Sequence, residues 1–124
     1  MIFLDTHVVV WLYARLYDKL SETSKKLINE NDLYCSPMVK LELKYLYEIE
    51  RITELPDPIL DALEQEIGLR VREIELSKLV DRSLDINWTR DPFDRLMVAQ
   101  VTLEETVLLT RDERILRNFD GARW

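Results

Sequence analysis

Apolar positions along the chain come in two rhythms. Short blocks such as "IFL", "LYC" and "VLL" are apolar without interruption, as buried strands are. The longer stretches between them repeat apolar residues every three or four positions, as helices do. "IFLD" reads as a short buried strand ending in Asp5. "THVVVWLYARLY" follows; its valines favour a strand, but its length and short connection favour a buried helix. "SETSKKLINEN" is a helix capped by Ser21, "DLYCS" a strand, and "SPMVKLELKYLYEIER" a helix capped by Ser36 with Pro37 in its first turn. "PDPILDALEQEIG" repeats that device with Asp57 and Pro58, and Gly68 closes it. "LRVREIEL" alternates as a strand, and "SKLVDRSLDI" and "DPFDRLMVAQVTLEE" are helices. "TVLLT" is a strand, "RDERILRN" a short helix and "ARW" a last edge strand. Strands alternating with helices specify an α/β domain with a parallel sheet covered on both faces.

Composition narrows the class. The 124 residues suit a single domain spanning 1–124, and no linker or repeat interrupts them. A lone cysteine, Cys35, excludes an internal disulfide framework and suggests a reducing compartment. No apolar run approaches the roughly 20 residues of a membrane span, and "MIFLDTHVVVW" lacks a basic leader region. A soluble cytoplasmic protein without a membrane partner is therefore expected. Only two glycines are present, and no glycine-rich phosphate cradle. The charge balance is acidic, 17 Lys and Arg against 24 Asp and Glu, net −7. That argues against sequence-independent nucleic-acid binding by a basic surface. A nucleic-acid enzyme stays open, because carboxylates gathered round a divalent cation are neutralised by it. An acidic chain also suits a basic protein partner.

Functional groups of parallel sheets gather where the strands end at their carboxyl edge. Asp5 follows the first strand and Asp112 follows "TVLLT". Each has a purely structural explanation: Asp5 as a helix cap, and Asp112 within a start where Thr110 and Glu113 form a capping box. Asp91 before Pro92 is an ideal cap, and Asp94 then falls in the first turn, where an acid suits the helix dipole. Glu42 resists such an explanation. At about 100° per residue it falls within the arc of Met38, Val39, Leu41, Tyr45, Leu46 and Ile49, with Lys40, Lys44 and Glu48 opposite. A carboxylate centred on a buried face costs several kcal/mol unless protonated, paired or bound to metal. One acid on a buried face, two at strand ends and a fourth at a helix start near the same edge match what a hard divalent cation requires. One Cys and one His cannot form a structural zinc site, and His7 alone does not complete a Ser-His-Asp triad.

"FLDTHVVVW", "SPMVKLELKYL", "RDPFDRLMVAQ" and "LLTRDERI" resemble, in order, the four acidic motifs of PIN-domain ribonucleases. The likeness is greatest to the VapC toxins of prokaryotic type II toxin–antitoxin systems, and the motifs run from Ile2 to Arg114. The resemblance implies a three-layer α/β/α fold and metal ligands at Asp5, Glu42, Asp94 and Asp112. Thr110 matches the family's usual hydroxyl, and Asp91 is an extra acid, with Thr6 and Arg95 as supporting neighbours. It further implies Mg²⁺ or Mn²⁺ as cofactor, an RNA substrate, a homodimer and a basic, VapB-like antitoxin partner. Residues 51–90 carry little motif information, and "RITEL" stands where relatives often have a glycine.

The chemistry that follows is hydrolysis of an RNA phosphodiester by metal-activated water, leaving 5′-phosphate and 3′-hydroxyl ends. Arg90, Arg95, Arg111 and Arg114 form a candidate basic rim, with Arg95 assisting the charge on the phosphoryl oxygens. A catalytically silent PIN-like interaction module is the alternative, with Trp11, Tyr13 and Tyr17 of the first helix as its docking face. A phosphorelay receiver fits poorly, because Asp5 has no acidic neighbour and no lysine follows Lys78.

Overall fold

In the computed structural model, which describes every residue from Met1 to Trp124, five short strands alternate with seven helices. The chain runs β1 (Ile2–Leu4), α1 (Thr6–Tyr13), a 3₁₀ turn (Tyr17–Lys19), α2 (Glu22–Glu30), β2 (Leu33–Cys35) and α3 (Pro37–Glu48). It continues through α4 (Pro56–Ile67), β3 (Arg70–Val71), α5 (Leu76–Ser83), α6 (Pro92–Leu103), β4 (Leu108–Leu109), α7 (Glu113–Asn118) and β5 (Ala122–Arg123). No helix is long and apolar enough to cross a membrane.

Most helix starts follow side-chain chemistry. Ser21 accepts the Ser24 N–H, Ser36 the Met38 N–H, and Asp91 the N–H groups of Phe93 and Asp94. Two local expectations need correction. The fourth helix begins at Pro56 after Leu55, so Asp57 is not its cap; instead Asp57 accepts from Lys40 Nζ at 2.7 Å. Thr110 and Glu113 make no capping box, because the α7 cap is Asp112, whose Oδ1 accepts the Ile115 N–H at 3.0 Å. The first helix also stops earlier than its apolar run: Ala14 ends it and Arg15 turns left-handed at φ 57°. Gly68 closes α4 at φ +72°, where a Cβ would be strained.

All strand pairs are parallel, in the order β3-β2-β1-β4-β5. Phe3 sits opposite Tyr34 on one side and Leu108 on the other, so β1 is central. The alternating stretch after Leu69 pairs only over Arg70–Val71, both exposed at the sheet edge. The chain builds outward from β1 to β3, then returns past β1 to β4. Right-handed crossovers therefore put α1–α4 on one face and α5–α7 on the other, making three layers. Phe3, Leu4, Val8, Leu43, Met97 and Leu109 are sealed between them. The reversal of direction lies between β1 and β4. That is the switch point at which open parallel sheets leave a crevice at their carboxyl edge.

Candidate metal centre

Asp5 leaves β1 at this crevice and is almost fully buried, 7% exposed. Its Oδ1 accepts the Thr6 N–H at 2.7 Å, and its Oδ2 accepts the Thr110 hydroxyl at 2.5 Å. Thr110, which ends the neighbouring strand, is itself buried and accepts the Asp112 N–H at 3.0 Å. One threonine thus ties the ends of β1 and β4 together and orients two acids. Burial pushes the Asp5 carboxyl above its ordinary value; the Thr110 bond, His7 and the Thr6 N–H oppose that, and Asp112 adds to it.

Glu42 is held by the other threonine. The Thr6 hydroxyl donates to Glu42 Oε1 at 2.5 Å, linking α1 to α3. The helical arc expected to bury Glu42 is displaced. Val39 and Leu43 are buried, whereas Leu41, Tyr45 and Ile49 are 55%, 49% and 44% exposed. Helix α3 packs against α1, α4 and α6, and Glu42 lies half-buried next to the buried Leu43. Its pKa is raised by burial and by the charges of Asp5 and Asp91, against the Thr6 bond and His7.

Asp94 occupies the third position of α6 after the Asp91 cap. Burial and then Asp91, Asp5, Asp112 and Glu42, in that order, push its carboxyl up to about 7. Four other acids therefore act on this one side chain, which is the plainest sign that the segments converge. The ion pairs of the molecule lie elsewhere, as in Arg15–Glu66, Lys40–Asp57 and Arg72–Glu104; none of these five acids has a basic partner.

Two clefts meet at Asp112. One, of about 530 Å³, is lined by Thr89, Asp91, Asp94, Asp112, Arg114 and Arg117 among others. The second, of about 250 Å³, is lined by Asp5, His7, Trp11, Arg111 and Asp112. Arg95 lines neither cleft; its Nε donates to the Thr89 carbonyl at 2.7 Å and braces the turn into α6. Arg117 was not singled out by the sequence; its spacing of three from Arg114 on α7 is the signal that places both on one cleft. Thr89 was missed for want of any motif, yet it is buried and accepts the Asp91 N–H.

Carboxylate oxygens with a threonine hydroxyl between them are the donor set of a hard divalent cation. As they stand, no three His, Cys, Asp or Glu side chains close on one point as a finished cage. Unpaired like charges repel, and several acids keep an oxygen without a protein partner. Asp112 uses Oδ1 alone, and Asp91 uses Oδ1 for both N–H groups. The chemistry of this donor set fits a divalent cation.

The chain has known relatives in sequence and in fold. The sequence model of the PIN domain matches residues 2–121. Ribonuclease VapC22 of Mycobacterium tuberculosis is 29% identical over 117 residues, 92% of this chain and 88% of that protein. VapBC2 from Rickettsia felis, solved bound to a DNA fragment from its promoter, superposes with a TM-score of 0.69 at 19% identity, covering 94% of this chain and 92% of that one. A toxin–antitoxin complex from Klebsiella pneumoniae gives a TM-score of 0.70 at 14% identity, over 100% and 97% of the two chains.

Proposed function

The chain belongs to the PIN domain family, and from that premise we propose that it is a divalent-metal-dependent endoribonuclease, the toxin of a type II toxin–antitoxin pair. The observation that carries the reading is the meeting of two clefts at Asp112, which brings Asp5, Asp91, Asp94 and Asp112 together with no basic partner among them. Asp5, Glu42, Asp94 and Asp112 would hold Mg²⁺ or Mn²⁺. When bound, the ion supplies an acidified water and counter-charge for a phosphate. Thr110 and Thr6 orient two of the carboxylates by hydrogen bonds. Asp91 caps α6 and aims Asp94. Arg111, Arg114 and Arg117 line the two clefts and offset the acidic surface where a phosphodiester would lie.

The ribonuclease relative supports the substrate class, and the two complexes support an antitoxin partner. Exposed apolar rows give such a partner, or a second copy, somewhere to dock. They are Leu41, Tyr45 and Ile49 on α3, and Leu76, Val80 and Leu84 along α5. The first helix, expected to present that face, instead packs Trp11 and Tyr13 partly onto the core. A cytoplasmic, antitoxin-bound homodimer is the assembly that goes with this reading.

The test is incubation of purified protein with structured RNA in Mg²⁺, Mn²⁺ and EDTA. Cleavage leaving 5′-phosphates, present with metal and lost in EDTA and in Asp5→Asn, is expected. Cleavage that persists in EDTA or in Asp5→Asn overturns the assignment.

A further inference from the structure

Beside the acids lies a group that the hydrolytic reading does not use. His7 is exposed, and its ring stands 6.2 Å from that of Trp11 at 50°. The Trp11 indole meets the edge of Trp124 at 5.8 Å and 64°, and Lys19 Nζ lies 5.7 Å from its centroid. His7 and Trp11 line the same cleft as Asp5, Arg111 and Asp112. An aromatic shelf, in contact with Trp124 and Lys19 and sharing its cleft with an unpaired arginine, thus lies directly beside the carboxylates.

Resting on the nuclease reading above, we propose that this shelf binds the base of the nucleotide next to the scissile phosphate, with His7 and Trp11 positioning it. Three features carry the assignment. Every base has a π-face, and stacking on aromatic side chains is how proteins hold splayed-out, single-stranded nucleotides. At 50° to one another the His7 and Trp11 rings cannot sandwich a planar base, so the base stacks on one ring with the other against its edge. Trp124 and Lys19 hold Trp11 before substrate arrives, which lowers the ordering cost of binding. Arg111, in the same cleft and outside every ion pair, is placed for the phosphate that accompanies the base. A duplex would keep its bases stacked on one another and leave the shelf unused.

The experiment pairs protein and RNA changes. A short single-stranded RNA with a mapped cut site is prepared intact and with an abasic residue on either side of the cut. Each is digested under Mn²⁺ by the parent, Trp11→Leu, Trp11→Phe and His7→Ala. The parent should lose roughly 5- to 150-fold in kcat/KM on one of the two abasic RNAs, the value of one stacked base. Most of that loss should appear in KM. Trp11→Leu and His7→Ala should start from a raised KM and no longer distinguish the abasic RNA, while Trp11→Phe keeps most of the discrimination. Should Trp11→Leu not fold, His7→Ala, whose side chain is exposed, carries the same comparison. A parent that cleaves but treats intact and abasic RNAs alike overturns the shelf and leaves the nuclease reading standing. So do variants that discriminate as the parent does. A parent that cleaves no RNA with any divalent metal overturns both.

Discussion

Replacing Asp94 by Asn should stabilise the metal-free protein at neutral and higher pH. Folded Asp94 keeps its proton to about pH 7, whereas an ordinary Asp loses it near 3.8. Between those values the folded state binds more protons than the unfolded one, so this group's contribution to stability falls as pH rises. The displacement of about three pH units corresponds to about 4 kcal/mol at full weight. Asp94 is half-buried, and solvent screening reduces that to about 1–2 kcal/mol. For a domain of this size the melting temperature of Asp94→Asn should therefore exceed the parent's by about 3–10 °C at pH 8 in EDTA. At pH 4, where the folded group is neutral in both proteins, most of the difference should vanish. Urea titrations at the two pH values, followed by circular dichroism, measure it directly. Mg²⁺ then supplies an independent reading. Ion at ten times its dissociation constant adds about 1.4 kcal/mol to the parent, and less to a variant lacking one carboxylate. The reasoning fails if Asp94→Asn is no more stable than the parent at pH 8 without metal, or if its advantage is as large at pH 4.

Thr110→Val removes the hydroxyl that orients Asp5; RNA cleavage should fall about 10- to 100-fold, with Thr110→Ser restoring most of it and circular dichroism unchanged. Arg114→Ala combined with Arg117→Ala should weaken single-stranded RNA binding and flatten its log–log salt dependence by about 1.4 if both contact phosphates, read by fluorescence anisotropy across a salt series; an unchanged slope removes them from the binding surface. Gly68→Ala meets no atom within 4 Å but forces a side chain into the left-handed region, so it should cost about 1–2 kcal/mol in urea unfolding while cleavage is untouched.

The strand–helix alternation was legible because buried parallel strands and amphipathic helices differ in period, and most elements fall where the pattern puts them. The caps at Ser21, Ser36 and Asp91 were legible for the same reason: their chemistry is local. What the sequence hid depends on partners distant along the chain. Asp57 had the look of a cap, but Lys40 on the preceding helix takes it and Pro56 starts the helix earlier. Glu42 was singled out by a helical wheel whose apolar arc is in fact half exposed, because apolar spacing does not reveal which side of α3 its neighbours cover. The wheel isolated Glu42 from a misplaced arc. What holds Glu42 is a hydroxyl 36 residues away, and no periodicity carries that bond.

The same fold explains why capping and the proposed metal binding were hard to separate in the sequence. Asp5, Asp91 and Asp112 each stand at the cap of a helix, α1, α6 and α7. Each helix turns the partial positive charge of its amino end toward the acids, which offsets part of their mutual repulsion before any cation arrives. A carboxylate has two oxygens, and Asp112 and Asp91 spend one of them on backbone N–H groups while the other makes no bond within the chain. At Asp112 capping fixes the side chain's direction and leaves the other oxygen for the proposed ion. Asp5 differs, because both its oxygens accept hydrogen bonds, from the Thr6 N–H and the Thr110 hydroxyl, and a cation would have to share them. Among the acids that surround Asp94, only Glu42 lies mid-helix without a cap to orient it, and there the Thr6 hydroxyl does what backbone N–H groups do for the others.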